Sequence, residues 1–600
     1  MQKPSAEDLV TRGLFHDRII PPLSSLSLAD VIEDVFALAR LEMQKDSRKR
    51  KRSRLVRHSV PKLKHLRRHF GIPNPLNQAI LCLCVAEHWK QLHAICKKSS
   101  VSLSSPIIST KRSLVAEHSR RVEGVRRAQS SVGRRFMLKA DIATFFSSIY
   151  THSIPWAIHG TKVARSKRAA NWYGNELDKW IQGTQDRQTG GIPIGPDTSF
   201  LIAEVIASRM DVQLEKLLGQ ELRGVRYIDD YHLYFATRAD AEAALAILHA
   251  VTQGFELQLN GPKTEIYNVP EAIEPSWKTD LRLIRIRSDK RATGIKAFFD
   301  RASDLAMQFP SDSVLTYAVR KITRYADRLK PNEWEVCRSL LLRSCLGEAT
   351  MLPALLELFE SNPESWTADD LRELLTQLCL YHAPLQHGFE VAWSLWCARS
   401  LGIDLPKNVS TAISKVDDDI VALVALDMES QGLLPTLKTK LWASRMSAEH
   451  LYSEHWLLAY EAYVQGWLPA QTANDYVASD PFFSLLQTGG VRFYSAAEPW
   501  EDGYSDYSDG DDVEDDEEDD DDDLDEDITE ESSIRILGMP ALQAAPIGTP
   551  HPIWNPTASS HGAQPRNPAG FSATVLSEGS NNPQPPDWLK IAKKTEGKDD

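Results

Sequence analysis

The spacing of apolar residues changes character along the chain, and each change predicts an element. Near the start, Val31, Ile32, Val35, Phe36, Leu38 and Ala39 recur at helical intervals. Asp30 precedes all of them, with Glu33 three residues on, which is the pattern of a helix N-terminus. A turn-rich link, Phe70 to Pro75, leads into an apolar helix from Leu76 to Cys96. Phe136 to Asp141 predicts a strand ending in a carboxylate, and Phe145 and Phe146 open the next element. A Gly/Pro loop, Gly191 to Pro196, precedes a helix to about Asp211 that Asp197, Thr198 or Ser199 would cap. Arg226 to Phe235 is rich in Tyr, Ile and Phe, which favour strands. It predicts a hairpin whose tight bend holds Asp229 and Asp230. Ala239 to Gln253 reads as a helix, Phe255 to Asn260 alternates like a strand, and Lys263 follows a turn.

From about 295 to 485 the period is helical throughout. Ser313 to Leu329, Trp334 to Leu346, Leu352 to Phe359 and Ala368 to Tyr381 are examples, with Thr367 and Asp370 as a capping box. Stacked helical hairpins of HEAT-like type and an ordinary bundle both fit this spacing. Residues 498–600 lack a core pattern and predict disorder.

Charge refines the picture. The net charge is −13, but residues 501–531 hold 21 Asp or Glu and no Lys or Arg, so the remainder is +8. A mildly basic body suits a polyanionic partner. Residues 45–68 carry twelve Lys or Arg against Asp46 alone. They read as a solvated helix face, a flexible arm or a phosphate-contacting surface. The seven cysteines show no paired metal spacing and read as reduced core residues of a cytoplasmic protein. Met1 to Phe15 has no apolar signal region, and no run of 18 apolar residues predicts a membrane span.

Desolvating two neighbouring anions is costly unless a cation offsets it. For Asp229 and Asp230 the natural cation is divalent with oxygen ligands, Mg²⁺ first. An isolated Asp-Asp is common in exposed acidic turns. Here the order is Asp141, the Gly191–Pro196 loop, Asp229 with Asp230, then Lys263.

That order resembles the palm of reverse transcriptases, over about residues 60–275. The resemblance implies in-line nucleotidyl transfer from deoxynucleoside triphosphates to a DNA product, with two Mg²⁺ clamping the attacking and leaving oxygens. It makes Asp141 and Asp229 the main metal bridges, Asp230 a supporting ligand, and Ile142 a ligand through its backbone carbonyl. Upstream arginines and Lys111 would offset triphosphate charge, with Arg126 and Arg127 singled out. Lys263 would stabilise or protonate the leaving pyrophosphate, although a solvated turn lysine fits the position equally. Phe146 takes the place of a gate that crowds a ribose 2′-hydroxyl, and Phe145 is the better core candidate. Ile194 and Gly195 lie in the loop that would border the nucleotide.

Phe145 to Ala157 and Gly191 to Ser199 look more narrowly like bacterial abortive-infection and defence-associated reverse transcriptases. In that group a helical repeat domain follows the palm, and some members make DNA without a template from a protein primer. Ile194 stands where many templated enzymes carry a glutamine, whose amide can hydrogen-bond near the nascent base pair. The expected fold is an α+β polymerase palm and fingers (60–275) behind a helical and basic segment (1–59). An all-α helical-repeat-like domain (295–485) and a disordered acidic tail (498–600) follow. The expected function is an antiphage DNA polymerase, template-independent and protein-primed. The alternatives are a templated retroelement or intron-type enzyme that reads an RNA template, or a non-catalytic nucleic-acid scaffold. Homo-oligomerisation is left open.

Overall fold

Residues in the basic block alternate before they repeat at any helical period. Val56, His58 and Val60 point inward while Arg57 is exposed. In the computed structural model, strand β1 (Val56–Leu63) therefore pairs antiparallel with β2 (Leu66–Ile72) as a two-stranded ribbon. This corrects the helix-face or arm expectation for that stretch; dense positive charge masks a period of two. The structure describes residues 3–497 apart from 47, 64–65 and 167–171. The disordered-tail expectation for 498–600 lies outside the described residues.

The helix after the ribbon, Pro75–Cys96, begins behind Asn74, whose side chain accepts the Leu76 N–H. A small hairpin follows, β3 (Pro106–Ile108) with β4 (Leu114–Ala116), and then the helix Arg120–Ser131. The central sheet is antiparallel, in the order β6 (Gly224–Tyr227), β7 (Asp230–Phe235), β5 (Phe136–Asp141) and β8 (Glu265–Asn268). One face rests on the helices Asp197–Leu218 and Arg238–Gly254, where Leu138, Ala140, Tyr231 and Leu233 are buried. The opposite face carries Met137, Lys139 and Asp141 against Tyr234, His232 and Asp230.

Three local expectations change. Phe255 to Asn260 forms no strand among the described residues, because Glu256 is left-handed at φ 62°; only Leu259 makes a bridge, to Ile142. Asp197 does not cap its helix, since its carboxylate accepts from Arg112, Ser113 and the Leu114 N–H. Asp30 sits inside a 3₁₀ turn, Leu26–Val31, and the α-helix starts at Ile32.

Beyond residue 290 the helices pack in two rows. Arg291–Gln308, Pro331–Gly347 and Ala368–His382 lie in one, and Val314–Thr323, Leu352–Ser361, Gly388–Ser400, Asp419–Ser430 and Trp456–Val464 in the other. This helix-rich region is joined to the ribbon by buried polar contacts. His58 lies 2.9 Å from Asp418, and the Trp456 indole N–H donates to the Ile72 carbonyl at 3.2 Å. The chain's two described ends also meet: Leu23 bridges Tyr494, and the Ser24 N–H donates to the Phe493 carbonyl at 3.0 Å. One hydrophobic core thus runs from Leu9 to Tyr494. Among the described residues no helix is long and apolar enough to cross a membrane.

Candidate active site

Strand pairing sets the first distance in the site. Asp141 ends β5 directly opposite Asp230, which opens β7, and Asp229 occupies the bend before it. The Ile142 N–H donates to the Asp229 carbonyl at 3.2 Å, which locks the end of β5 to the bend. Three carboxylates are therefore held together by backbone geometry before any side chain chooses a rotamer.

The bend itself is strained. Ile228 has φ 57°, a conformation rare for a β-branched residue. Its N–H donates to Ser104 Oγ at 2.8 Å, and its carbonyl accepts from Arg226 at 2.8 Å. Arg226 is wholly buried and also reaches Glu204 at 2.7 Å and Asp211 at 2.8 Å. Burial works to raise the Glu204 pKa, but Arg226 with Ser102 and Ser104 holds it below the usual value. A charged knot thus anchors the turn to the long helix behind the sheet. Nothing in the sequence announced this role for Arg226 beyond its place in the first strand of the hairpin.

The three carboxylates differ in their partners. Asp141 accepts from the Asn260 amide at 2.7 Å and from Lys263 Nζ at 3.1 Å. Asp229 is pushed up to about 6, by burial first and then by the charges of Asp230 and Asp141. Asp230 is also raised by burial and by Asp141, and its buried Oδ1 has no hydrogen-bond partner. For Lys263, burial opposes the charge, but Asp141, Asp230 and Asp229 win and raise its pKa. Clustered hard oxygens, one of them unsatisfied, fit a divalent cation. Asp141, Asp229 and Asp230 would hold it, with the Ile142 carbonyl at the same strand end.

Other candidates separate into two groups. Phe146 is half-buried, and its carbonyl accepts the Ile192 N–H at 2.8 Å, so it lies against the Gly191–Pro196 loop. Phe145 is buried, edge-on to Phe146. In the loop, Gly191 has φ +80°, and a Cβ there would meet the Ser147 carbonyl at 2.9 Å. Ile194 offers its carbonyl to the Gly71 N–H at 2.9 Å, and the Gly195 carbonyl accepts from Arg112 at 3.1 Å. The loop therefore touches both the ribbon and the short helix, Phe145–Ser148, that follows Asp141.

The two singled-out arginines do not converge on the carboxylates. Arg127 is buried against Tyr234, Glu271 and the Ile273 carbonyl. Tyr234 lies four residues from Asp230, about 13 Å along the strand. The triphosphate role expected for Arg127 is corrected accordingly, because this guanidinium is committed to packing. Arg126 is exposed on the same helix, and Lys111 lies in the β3–β4 turn. Arg120, at the start of that helix, is the arginine whose charge is felt by both Asp229 and Asp230; it sits 4.4 Å from the Tyr227 ring. Arg120 belongs to the upstream arginines expected to offset triphosphate charge but was not singled out among them, and Asn260 was given no site role. Only the fold brings them near the carboxylates.

Residues 80–292 match the profile of a family described as reverse transcriptase (RNA-dependent DNA polymerase), so the chain carries a reverse transcriptase domain of the nucleotidyltransferase type. No curated protein matches the chain. Solved structures that match include apo telomerase from Candida tropicalis, at 12% identity and TM-score 0.29, covering 67% of this chain and 73% of that one. Telomerase from Candida albicans, in complex with a fragment of telomeric RNA, matches at 10% identity and TM-score 0.27, covering 60% and 67%.

Proposed function

We propose that this protein is a DNA polymerase acting in antiphage defence, which extends DNA without a template from a protein primer in the cytoplasm. The observation that carries the polymerase assignment is the pairing of Asp141 with Asp230 across two strands, with Asp229 in the adjoining bend. Two Mg²⁺ ions bound by these carboxylates would supply activation of the attacking oxygen and charge relief for the leaving one. Asp141, Asp229 and Asp230 bind and orient. Asn260 and Lys263 fix the Asp141 carboxylate, and Lys263 stands close enough to the three anions to hold a proton near the leaving group. Phe146, against the loop of Ile194 and Gly195, is placed to select the sugar, and Arg120 to offset triphosphate charge.

The defence role is supported by the likeness of 145–157 and 191–199 to defence-associated enzymes and by the helix-rich region after the palm. Seven buried, unpaired cysteines suit a reducing compartment. A second reading, templated copying of RNA, is favoured by the description of the family that residues 80–292 match. One assay separates them. Wild-type and Asp229→Asn protein are given labelled deoxynucleotides and Mg²⁺, with and without RNA template. Incorporation without template, lost at least a hundredfold in Asp229→Asn, is the expected result. Incorporation only with template would establish the second reading. Unchanged incorporation by Asp229→Asn would remove the assignment of that carboxylate.

A further inference from the structure

Away from the carboxylates, a cleft of about 1510 Å³ opens between the ribbon β1–β2 and the first helices of the helix-rich region. It is larger than the few hundred to a thousand Å³ that suit a compact small molecule. Six basic side chains line it: Arg18, Lys62, Arg67, Arg68, Arg320 and Arg343. Only three acidic side chains do so, and each is turned to a partner of its own. Asp312 accepts the Trp277 indole N–H at 2.6 Å, and Glu348 accepts from Thr316 Oγ1 at 2.6 Å. Glu390 takes both arms of Arg67.

The same walls carry apolar surface. Among the described residues thirteen large hydrophobic side chains are exposed to solvent, and four of them, Met307, Leu346, Tyr381 and Leu385, line this one cleft. Tyr381 is 68% exposed although it lies in the last turn of the helix Ala368–His382, whose inner face is packed. Cations interleaved with exposed apolar and aromatic groups match a ligand with a charged backbone and flat, unpaired bases. A duplex hides its bases and gains nothing from the apolar half of such a wall.

We propose that this cleft binds single-stranded nucleic acid, with phosphates on Lys62 and Arg343 and bases on Tyr381 and its apolar neighbours. The ribbon links the cleft to the candidate active site. Its base is bonded to the loop at Ile194, and that loop is bonded to Phe146, five residues beyond Asp141. A strand held along the cleft stays attached to the same rigid element that borders the site of synthesis.

The test uses full-length Asp229→Asn protein, without Mg²⁺ or nucleotides, so that binding is read apart from synthesis. Fluorescence anisotropy follows a labelled oligothymidylate of about 20 nucleotides at several salt concentrations. Lys62 and Arg343 are exposed, so K62E with R343E leaves the core untouched. Their joint reversal is expected to weaken binding about tenfold and to flatten the salt slope by about 1 to 2. Tyr381→Ala is expected to weaken it severalfold with the salt slope unchanged. Unchanged affinity in both variants overturns the proposal. Equal losses for a blunt duplex overturn its single-strand character. A change in sedimentation with unchanged oligonucleotide binding would instead make the cleft a contact between copies of this chain. Failure here leaves the incorporation assay untouched, and loss of incorporation leaves this binding measurable.

Discussion

At the scale of single residues, chemistry made some positions legible and geometry made others. Phe146 lies against the Gly/Pro loop, and Phe145 takes the core position beside it. Replacing Phe146 by Ala should open room for a 2′-hydroxyl and raise the ratio of ribonucleotide to deoxynucleotide incorporation, measured as two kcat/KM values. A ratio that does not move would remove Phe146 as the gate. Glu461 is a different case, a buried carboxyl far along the chain. Its pKa is pushed up to about 7 by burial, against an ordinary value of 4.5 and despite hydrogen bonds from the Phe493 N–H and Gln465. A folded pKa above the unfolded one contributes stability that is complete below about 4.5 and lost as pH rises through about 7. The loss is on the order of 3 kcal/mol. Thermal melts at pH 5 and pH 8 should therefore differ less in Glu461→Gln than in wild type. That Asp141, Asp229, Asp230 and Lys263 lie together was legible from their order along the chain, which resembles that of a reverse transcriptase palm. Arg120 and Asn260 were not, since any polar residue at those positions reads alike until the chain folds.

Secondary elements show where pattern and context compete. The hairpin around Asp229 and the strand ending at Asp141 were legible from Tyr, Ile and Phe around short polar bends. The ribbon β1–β2 was not, because its charges drew attention away from the alternation of Val56, His58 and Val60. The strand expected at 255–260 failed for a local reason, a left-handed Glu256 that ends the helix before it and turns the chain. The hairpin bend also depends on a side chain behind it. Arg226→Lys would keep a charge near Glu204 and Asp211 and lose the guanidinium fork that also holds the Ile228 carbonyl. Loosening that bend displaces Asp229. Incorporation should fall about tenfold or more while far-ultraviolet circular dichroism stays native. Arg226→Ala, which strands two buried carboxylates, should lose about 3–5 kcal/mol of stability in denaturant titration.

At the scale of the whole body, the ribbon is the joint between the polymerase-like part and the helices that follow. Gly388 stands where His58 and Asp418 meet, and a Cβ there would strike the Asp418 carboxylate. Gly388→Ala should lower stability by about 1–3 kcal/mol in chemical denaturation, with a single transition because one core spans both parts. Two transitions would show that the parts unfold separately. The meeting of Leu23 with Tyr494 has a consequence in time. Those residues leave the ribosome 471 positions apart, so at ordinary rates of translation the partner arrives roughly half a minute to a minute and a half late. Until then, the first helices have an unfilled side, and the ribbon lacks Asp418 and Trp456. A nascent chain therefore cannot close its fold around the candidate site before nearly all of the body has been made. Premature termination upstream of residue 418 would release fragments with neither Asp418 nor Trp456 to brace the ribbon.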